Sequence, residues 1–182
     1  MPSAASAGSV CSNRDTGEHL IVRPEDDREL QKVLNELSSF DLELKFRDSI
    51  QRSIDYILDG AKTGRFRLHD PEVESGERAA VGTKLEYELI REFSWTKEKP
   101  LDVVIADVPV DIKATVHRNW SIPKEAHCQL CICVRIDART YRHESWLMRT
   151  HRSLLYKGKG NGDGQEGYCG RCAQYLRCFA LW

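Results

Sequence analysis

Residues 101–115 read LDVVIADVPVDIKAT. Val and Ile crowd both flanks, and β-branched side chains favour a pleated, half-buried strand. The pattern predicts two short strands, 101–105 and 108–116, joined by a tight turn at Ala106 and Asp107. Pro109 falls near the start of the second strand, where a missing amide is tolerated. Three polar residues interrupt this apolar hairpin: Asp102, Asp111 and Lys113. Strand side chains alternate faces with a period of two, so Asp111 and Lys113 project to one side, flanking Ile112. Two carboxylates and an ammonium on an apolar scaffold are costly to desolvate unless other charges compensate them. A divalent metal and a phosphate would do so. An Asp-x-Lys on a strand is by itself a common solvated ion pair, and the residues around it raise its significance.

Upstream, Thr83-Lys-Leu-Glu86 has the form of a capping box and predicts a helix from there to about Phe93. Leu85, Leu89 and Phe93 give that helix an apolar stripe at spacings of four. Glu86 is then in the first turn, where reciprocal capping and service as a third carboxylate near a metal are both open to it. The acids run in a telling order: a helix Glu, an Asp, a spacer of eight residues, then Asp-x-Lys. This skeleton resembles that of the PD-(D/E)xK nucleases. Its chemistry is coherent, because hard cations such as Mg²⁺ take oxygen ligands, with water and substrate phosphate completing the shell. A lysine beside the second carboxylate can orient or deprotonate the attacking water, or stabilise negative charge in the transition state.

Beyond the skeleton, the chain resembles the NaeI-type restriction endonucleases from roughly Asp41 to Asp137. The blocks that carry the resemblance are FRDSIQRSIDYILDG (46–60), TGRF (63–66), DPEVE (70–74), GTKLE (82–86), the hairpin, and WSIPKE (120–125). The resemblance implies an α/β restriction-endonuclease-like core, a central mixed β-sheet flanked by helices. It also implies a Mg²⁺-dependent homodimer that cuts both strands of double-stranded DNA at a short palindromic sequence. Glu86, Asp102, Asp111 and Lys113 match the family's catalytic set. Asp102 and Asp111 would be metal ligands, Glu86 a further acid at the metal directly or through water, and Lys113 the residue that positions or activates the water. Leu101 replaces the proline of the motif's name. Full-size members continue into a second, helix-turn-helix DNA-binding domain, for which no sequence is seen before Trp182.

The whole-chain charge of −1 gives no push towards nucleic acid, but its distribution does. Residues 114–160 hold nine Lys or Arg against three acids, a local +6 that leaves −7 elsewhere. A basic stretch after an acidic hairpin suits phosphate contacts. The 182 residues suffice for one domain with a sizeable core. No apolar run could span a membrane and no signal core opens the chain, so the expected location is cytoplasmic, with no membrane partner.

Residues 1–23 are rich in Ala, Ser and Gly and are expected to be a disordered tail, followed by an endonuclease domain over 24–157. Two amphipathic helices should open that domain. Leu30, Val33, Leu34 and Leu37 line the first, Leu42, Phe46, Ile50, Ile54, Ile57 and Leu58 the second, and Gly60 is expected to stop it. Both read as core and dimer scaffold. Residues 62–70 (KTGRFRLHD) form a basic loop or short strand in which Arg65 and Arg67 are candidates for phosphate contact. Residues 114–126 are expected to be a loop beside the scissile phosphate. His117, Arg118, Asn119 and Lys124 are its candidate DNA contacts, with Trp120 a packing anchor. Residues 128–136 (CQLCICVRI) form a central buried strand, and 141–155 an added strand and helix.

Seven cysteines include Cys128-x-x-Cys131 and Cys169-x-x-Cys172. The first pair lies in an apolar run where the thiols would point to opposite faces, so buried thiols acting as small apolar groups are preferred to zinc. The second is turn-like and lacks two further ligands. The Gly- and Cys-rich segment 158–182 is read as a truncated or frameshifted start of the second domain. Two other functions are compatible with these motifs. One is a mismatch-repair or nicking endonuclease of the same fold; the other is a non-catalytic DNA-binding module.

Overall fold

The apolar stripes of the N-terminal region become helices in the computed structural model, which describes residues 23–117 and 119–151 and the backbone of 166–169. Residues 1–22 of the expected tail, Arg118, the end (152–155) of the strand and helix expected over 141–155, and most of 158–182 lie outside the described residues. After a 3-10 turn, Pro24–Asp26, α1 spans Arg28–Leu37 and α2 spans Leu42–Leu58. Asp27 and Asp41 cap them, accepting the amides of Leu30 and Leu44 at 3.2 and 3.1 Å. Leu30, Val33 and Leu37 of α1 and Phe46, Ile50 and Leu58 of α2 are buried. Gly60 is not the stop that its type suggests. Asp59 takes the left-handed conformation (φ 42°), and the short helix α3 restarts at Gly60–Thr63. The glycine answers a different need: a Cβ there would lie 2.4 Å from the Phe66 ring.

Helix α4 spans Ser75–Glu92, so it begins eight residues before the Thr83 capping box predicted. Its true cap is Glu74, whose carboxylate takes the Glu77 amide while Glu77 Oε2 accepts the Glu74 amide at 2.9 Å. Thr83 is consequently an exposed mid-helix residue, and Glu86 stands in the fourth turn rather than the first. The helix forms despite Gly76 and Gly82 because Val81, Leu85 and Leu89 are fully buried, and packing outweighs propensity.

Seven strands follow among the described residues: β1 (Thr96–Lys97), β2 (Val103–Ile105), β3 (Val108–Thr115), β4 (Asn119–Ile122), β5 (Leu130–Asp137), β6 (Arg142–Arg149) and β7 (Glu166–Cys169). Five of them form a mixed sheet in the order β1-β2-β3-β5-β6, parallel between β3 and β5 and antiparallel elsewhere. The expected central strand is thus present, although Cys128 precedes it with φ 62° and does not share it with Cys131. Residues 114–126 are not a plain loop. They carry β4, which pairs with β7 in a second small sheet, and a 3-10 turn, Lys124–Ala126. The cause is an alternation within the segment: Trp120 and Ile122 are buried while Asn119 and Ser121 are exposed.

One face of the large sheet packs on the helices through Val108, Val110, Ile112, Ile132 and Val134. The other face meets a smaller core of Trp120, Ile122, Cys131, Cys133, Trp146 and Met148. Trp120 anchors it, donating Nε1–H to the Val134 carbonyl at 3.1 Å and meeting Trp146 edge-on. The result is an α/β fold with a restriction-endonuclease-like core. Because β3 alternates, Asp111 and Lys113 point away from the helix layer, onto the thiol-lined face.

Candidate active site

Ala106 and Asp107 both have positive φ (49° and 61°), the geometry of a two-residue turn whose twist matches that of paired strands. The turn fixes the register Ile105↔Val108, Val104↔Pro109 and Val103↔Val110. Pro109 is tolerated because the ladder from β3 to β5 begins only at Val110↔Leu130. Asp102 lies just outside β2, and its Oδ2 accepts the Ile112 amide at 2.8 Å. A side-chain carboxylate thereby replaces the strand partner that β3 lacks at that point.

Lys113 completes the cluster. Its Nζ lies 3.1 Å from Asp111 Oδ1, 3.1 Å from the Ile112 carbonyl and 3.6 Å from Asp102 Oδ2. Asp111 is buried, and burial, reinforced by the charge of Asp102 and opposed by Lys113, pushes its carboxyl up to about 7. Burial works against the Lys113 charge as well, but Asp111 and Asp102 override it and hold the ammonium above the usual lysine range. The far oxygen of Asp111, Oδ2, faces the Cys131 thiol at 3.9 Å, and Cys133 Sγ is 3.4 Å beyond. Asp111 is thus a buried acid whose charge is incompletely compensated, beside oxygens already gathered around a cation. Asp102, Asp111 and the Ile112 carbonyl make an oxygen donor set suited to a hard divalent ion.

Glu86 stands apart from this group. Its carboxylate is 2.9 Å from Lys97 Nζ on β1, and among the described residues no three His, Cys, Asp or Glu side chains gather as a metal cluster. The sheet accounts for the separation, since α4 covers the helix face and Asp111 points to the other. Lys97 was absent from the sequence reading. Its place depends on a two-residue strand pairing with Val103, next to Asp102, which no local pattern announces.

The candidate DNA contacts divide. Arg65 is committed to Glu77 through two bonds of 2.8 and 2.6 Å and also donates to the Glu72 carbonyl at 3.3 Å, so it clamps the start of α4. Arg67 is exposed nearby. His117, Asn119 and Lys124 are exposed along the crossover from β3 to β5, and Arg118 lies outside the described residues. His117 also borders a cleft with Arg47, Tyr141, Arg142 and His143, so the crossover and the β5–β6 turn share one surface.

A mixed sheet backed by helices, with an acid pair and a lysine on a central hairpin, places this chain in the restriction-endonuclease-like class. The sequence profile described as "Restriction endonuclease NaeI" matches residues 32–174, and the chain belongs to that family. It is 30% identical over 116 residues to the type II restriction enzyme NaeI of Lentzea aerocolonigenes. That alignment covers 63% of this chain and 35% of the relative, so the chain spans about a third of the relative's length.

Proposed function

We propose that this chain is the nuclease domain of a type II restriction endonuclease, hydrolysing phosphodiester bonds of double-stranded DNA at a short specific sequence with Mg²⁺. The observation that carries the reading is the convergence of Asp111, the Ile112 carbonyl and Asp102 on one ammonium, at 3.1, 3.1 and 3.6 Å. Asp102, Asp111 and the Ile112 carbonyl would hold the ion, and Glu86, which here pairs with Lys97, would be a further acid at it, directly or through water. An Mg²⁺ ion held there would supply positive charge against the negative charge growing on the phosphate oxygens and would make nearby water more acidic. Lys113 then exchanges its carboxylate partners for the attacking water, which it orients towards phosphorus. Hydrolysis leaves 5′-phosphate and 3′-hydroxyl ends. His117, Arg118, Asn119, Lys124 and Arg67 contact the duplex. The working form is a cytoplasmic homodimer; no helix among the described residues is long and apolar enough to cross a membrane.

The test is cleavage of supercoiled plasmid with Mg²⁺ by wild type, Asp111→Ala and Lys113→Ala. Each variant should lose at least ~100-fold in rate, the scale of a removed transition-state group. Undiminished cutting by both variants would overturn the assignment. A product that stays nicked and never becomes linear would favour a strand-nicking enzyme. A gel shift in Ca²⁺ with no cleavage in Mg²⁺ would favour a binding module.

A further inference from the structure

Charges alternate across the site from α4 to β3: Glu86, Lys97, Asp102, Lys113, Asp111. Lys97 touches Glu86 at 2.9 Å, and Lys113 stands 3.6 Å from Asp102 and 3.1 Å from Asp111. Glu86 holds the Lys97 ammonium above the usual lysine range, and Asp102 adds to the effect, so Lys97 lies within the field of both acids. Three carboxylates against two lysines leave this row negative, which opposes the approach of a polyanion. The two lysines are placed differently. Lys113 is the inner cation, with 24% of its side chain exposed, whereas Lys97 is 47% exposed. The Lys97 ammonium also sits 4.5 Å from the centre of the Tyr87 ring, and that ring is itself exposed. A cation held over an open aromatic face, at the solvent end of an acid row, is presented outwards.

We propose that Lys97 is a second substrate-binding lysine of this site, one that exchanges Glu86 for the DNA phosphate next to the scissile one. The proposal rests on the nuclease reading above and adds a residue to it. The exchange is physically reasonable because the lysine of the pair is half-exposed, at 47% against 18% for Glu86, and ion pairs open to water are held weakly. A lysine–phosphate contact, by contrast, gains from counterion release. It also leaves Glu86 free to turn towards Asp102 once the backbone has arrived. Lys97 thereby offsets repulsion at the point where substrate enters, while Lys113 acts on the water.

The experiment measures affinity of the full chain for a 24-base-pair duplex of arbitrary sequence in Ca²⁺ by fluorescence anisotropy, across a salt series. Wild type, Lys97→Ala and Lys97→Arg are compared, each first shown by circular dichroism to be folded. Lys97→Ala should bind about 3- to 10-fold more weakly and lose about one unit of the slope of log affinity against log salt. Lys97→Arg should restore both. An unchanged slope in Lys97→Ala, or Lys97→Arg binding as weakly as Lys97→Ala, would mean that Lys97 makes no phosphate contact and would overturn the proposal. Absence of duplex binding by wild type would instead bring down the nuclease reading itself, and this proposal with it.

Discussion

Asp111 shows how a single residue can be badly placed for stability and well placed for binding a cation. Its carboxyl is 3% exposed and pushed up to about 7, chiefly by burial. An acid whose folded pKa lies above its unfolded value binds protons more tightly when folded, so stability falls as pH rises from about 4 to about 7. Above that window the ionised group is a net cost in the metal-free protein. Asp111→Asn should therefore raise the stability of the metal-free chain at pH 8 by about 1–2 kcal/mol. Three pKa units represent ~4 kcal/mol, a figure already net of the Lys113 attraction and the upper bound of the gain. The gain should fade towards pH 4, and Mg²⁺ should raise the melting temperature of wild type but not of the variant. A variant that melts below wild type at pH 8 would contradict this account. The residue types at this point were legible, because charges on an apolar strand are conspicuous. What burial does to Asp111 was not, because Cys131 and Cys133 come from a strand twenty residues away, placed opposite by the register Asp111↔Cys131 and Lys113↔Cys133.

At the scale of elements, the hairpin was readable because its determinants are local: β-branched flanks, a two-residue turn and a period of two. The start of α4 was not, since its capping pair is Glu74 and Glu77 rather than a serine or threonine, and it is clamped by Arg65 from another segment. β1 and β4 were missed for a related reason, because their partners, β2 and β7, lie outside their own sequence windows. A tertiary tie of the same kind joins α1 to β6. Arg149, buried at 2% side-chain exposure, bonds Asp27 at 2.6 and 2.8 Å and Glu29 at 2.8 Å. Burial opposes the Asp27 charge, but the Arg149 guanidinium overrides it and holds the carboxyl below its ordinary 3.8. A depressed folded pKa contributes stability above the unfolded value and loses it as pH falls through the folded one. Asp27→Asn keeps a side chain able to cap α1 and leaves the buried guanidinium with the Glu29 carboxylate and the Cys128 carbonyl. It should cost about 2–4 kcal/mol at pH 7, judged by urea unfolding. The difference from wild type should shrink below pH 4, where Asp27 itself becomes protonated. A constant difference from pH 7 to pH 3 would show that the ion pair is not what stabilises this contact.

For the molecule as a whole, the family and the class of fold were reachable from linked motifs, whereas the cutting of both strands of a duplex, as proposed above, would follow from symmetry. Among the described residues there is one cluster of the Asp102, Asp111 and Lys113 kind per chain, and one such cluster addresses one phosphodiester. The two strands of a duplex are antiparallel and related by a two-fold axis at a palindrome, so cutting both calls for two copies of the site related by the same axis. If the working form is that dimer, the subunits contribute one cut each. Mixing wild type with an equal amount of Lys113→Ala, under conditions that allow subunits to exchange, should give about half mixed dimers by random pairing. Those mixed dimers carry one competent site and should convert supercoiled plasmid to nicked circles that persist after wild-type dimers have finished making linear product. Pure wild type should show nicked circles only transiently. The persistent nicked fraction should rise with the proportion of Lys113→Ala and vanish if subunits are prevented from exchanging. If the mixture yields only linear product at a reduced rate, with no lasting nicked circle, one chain must cut both strands in turn, and the two-site geometry is wrong.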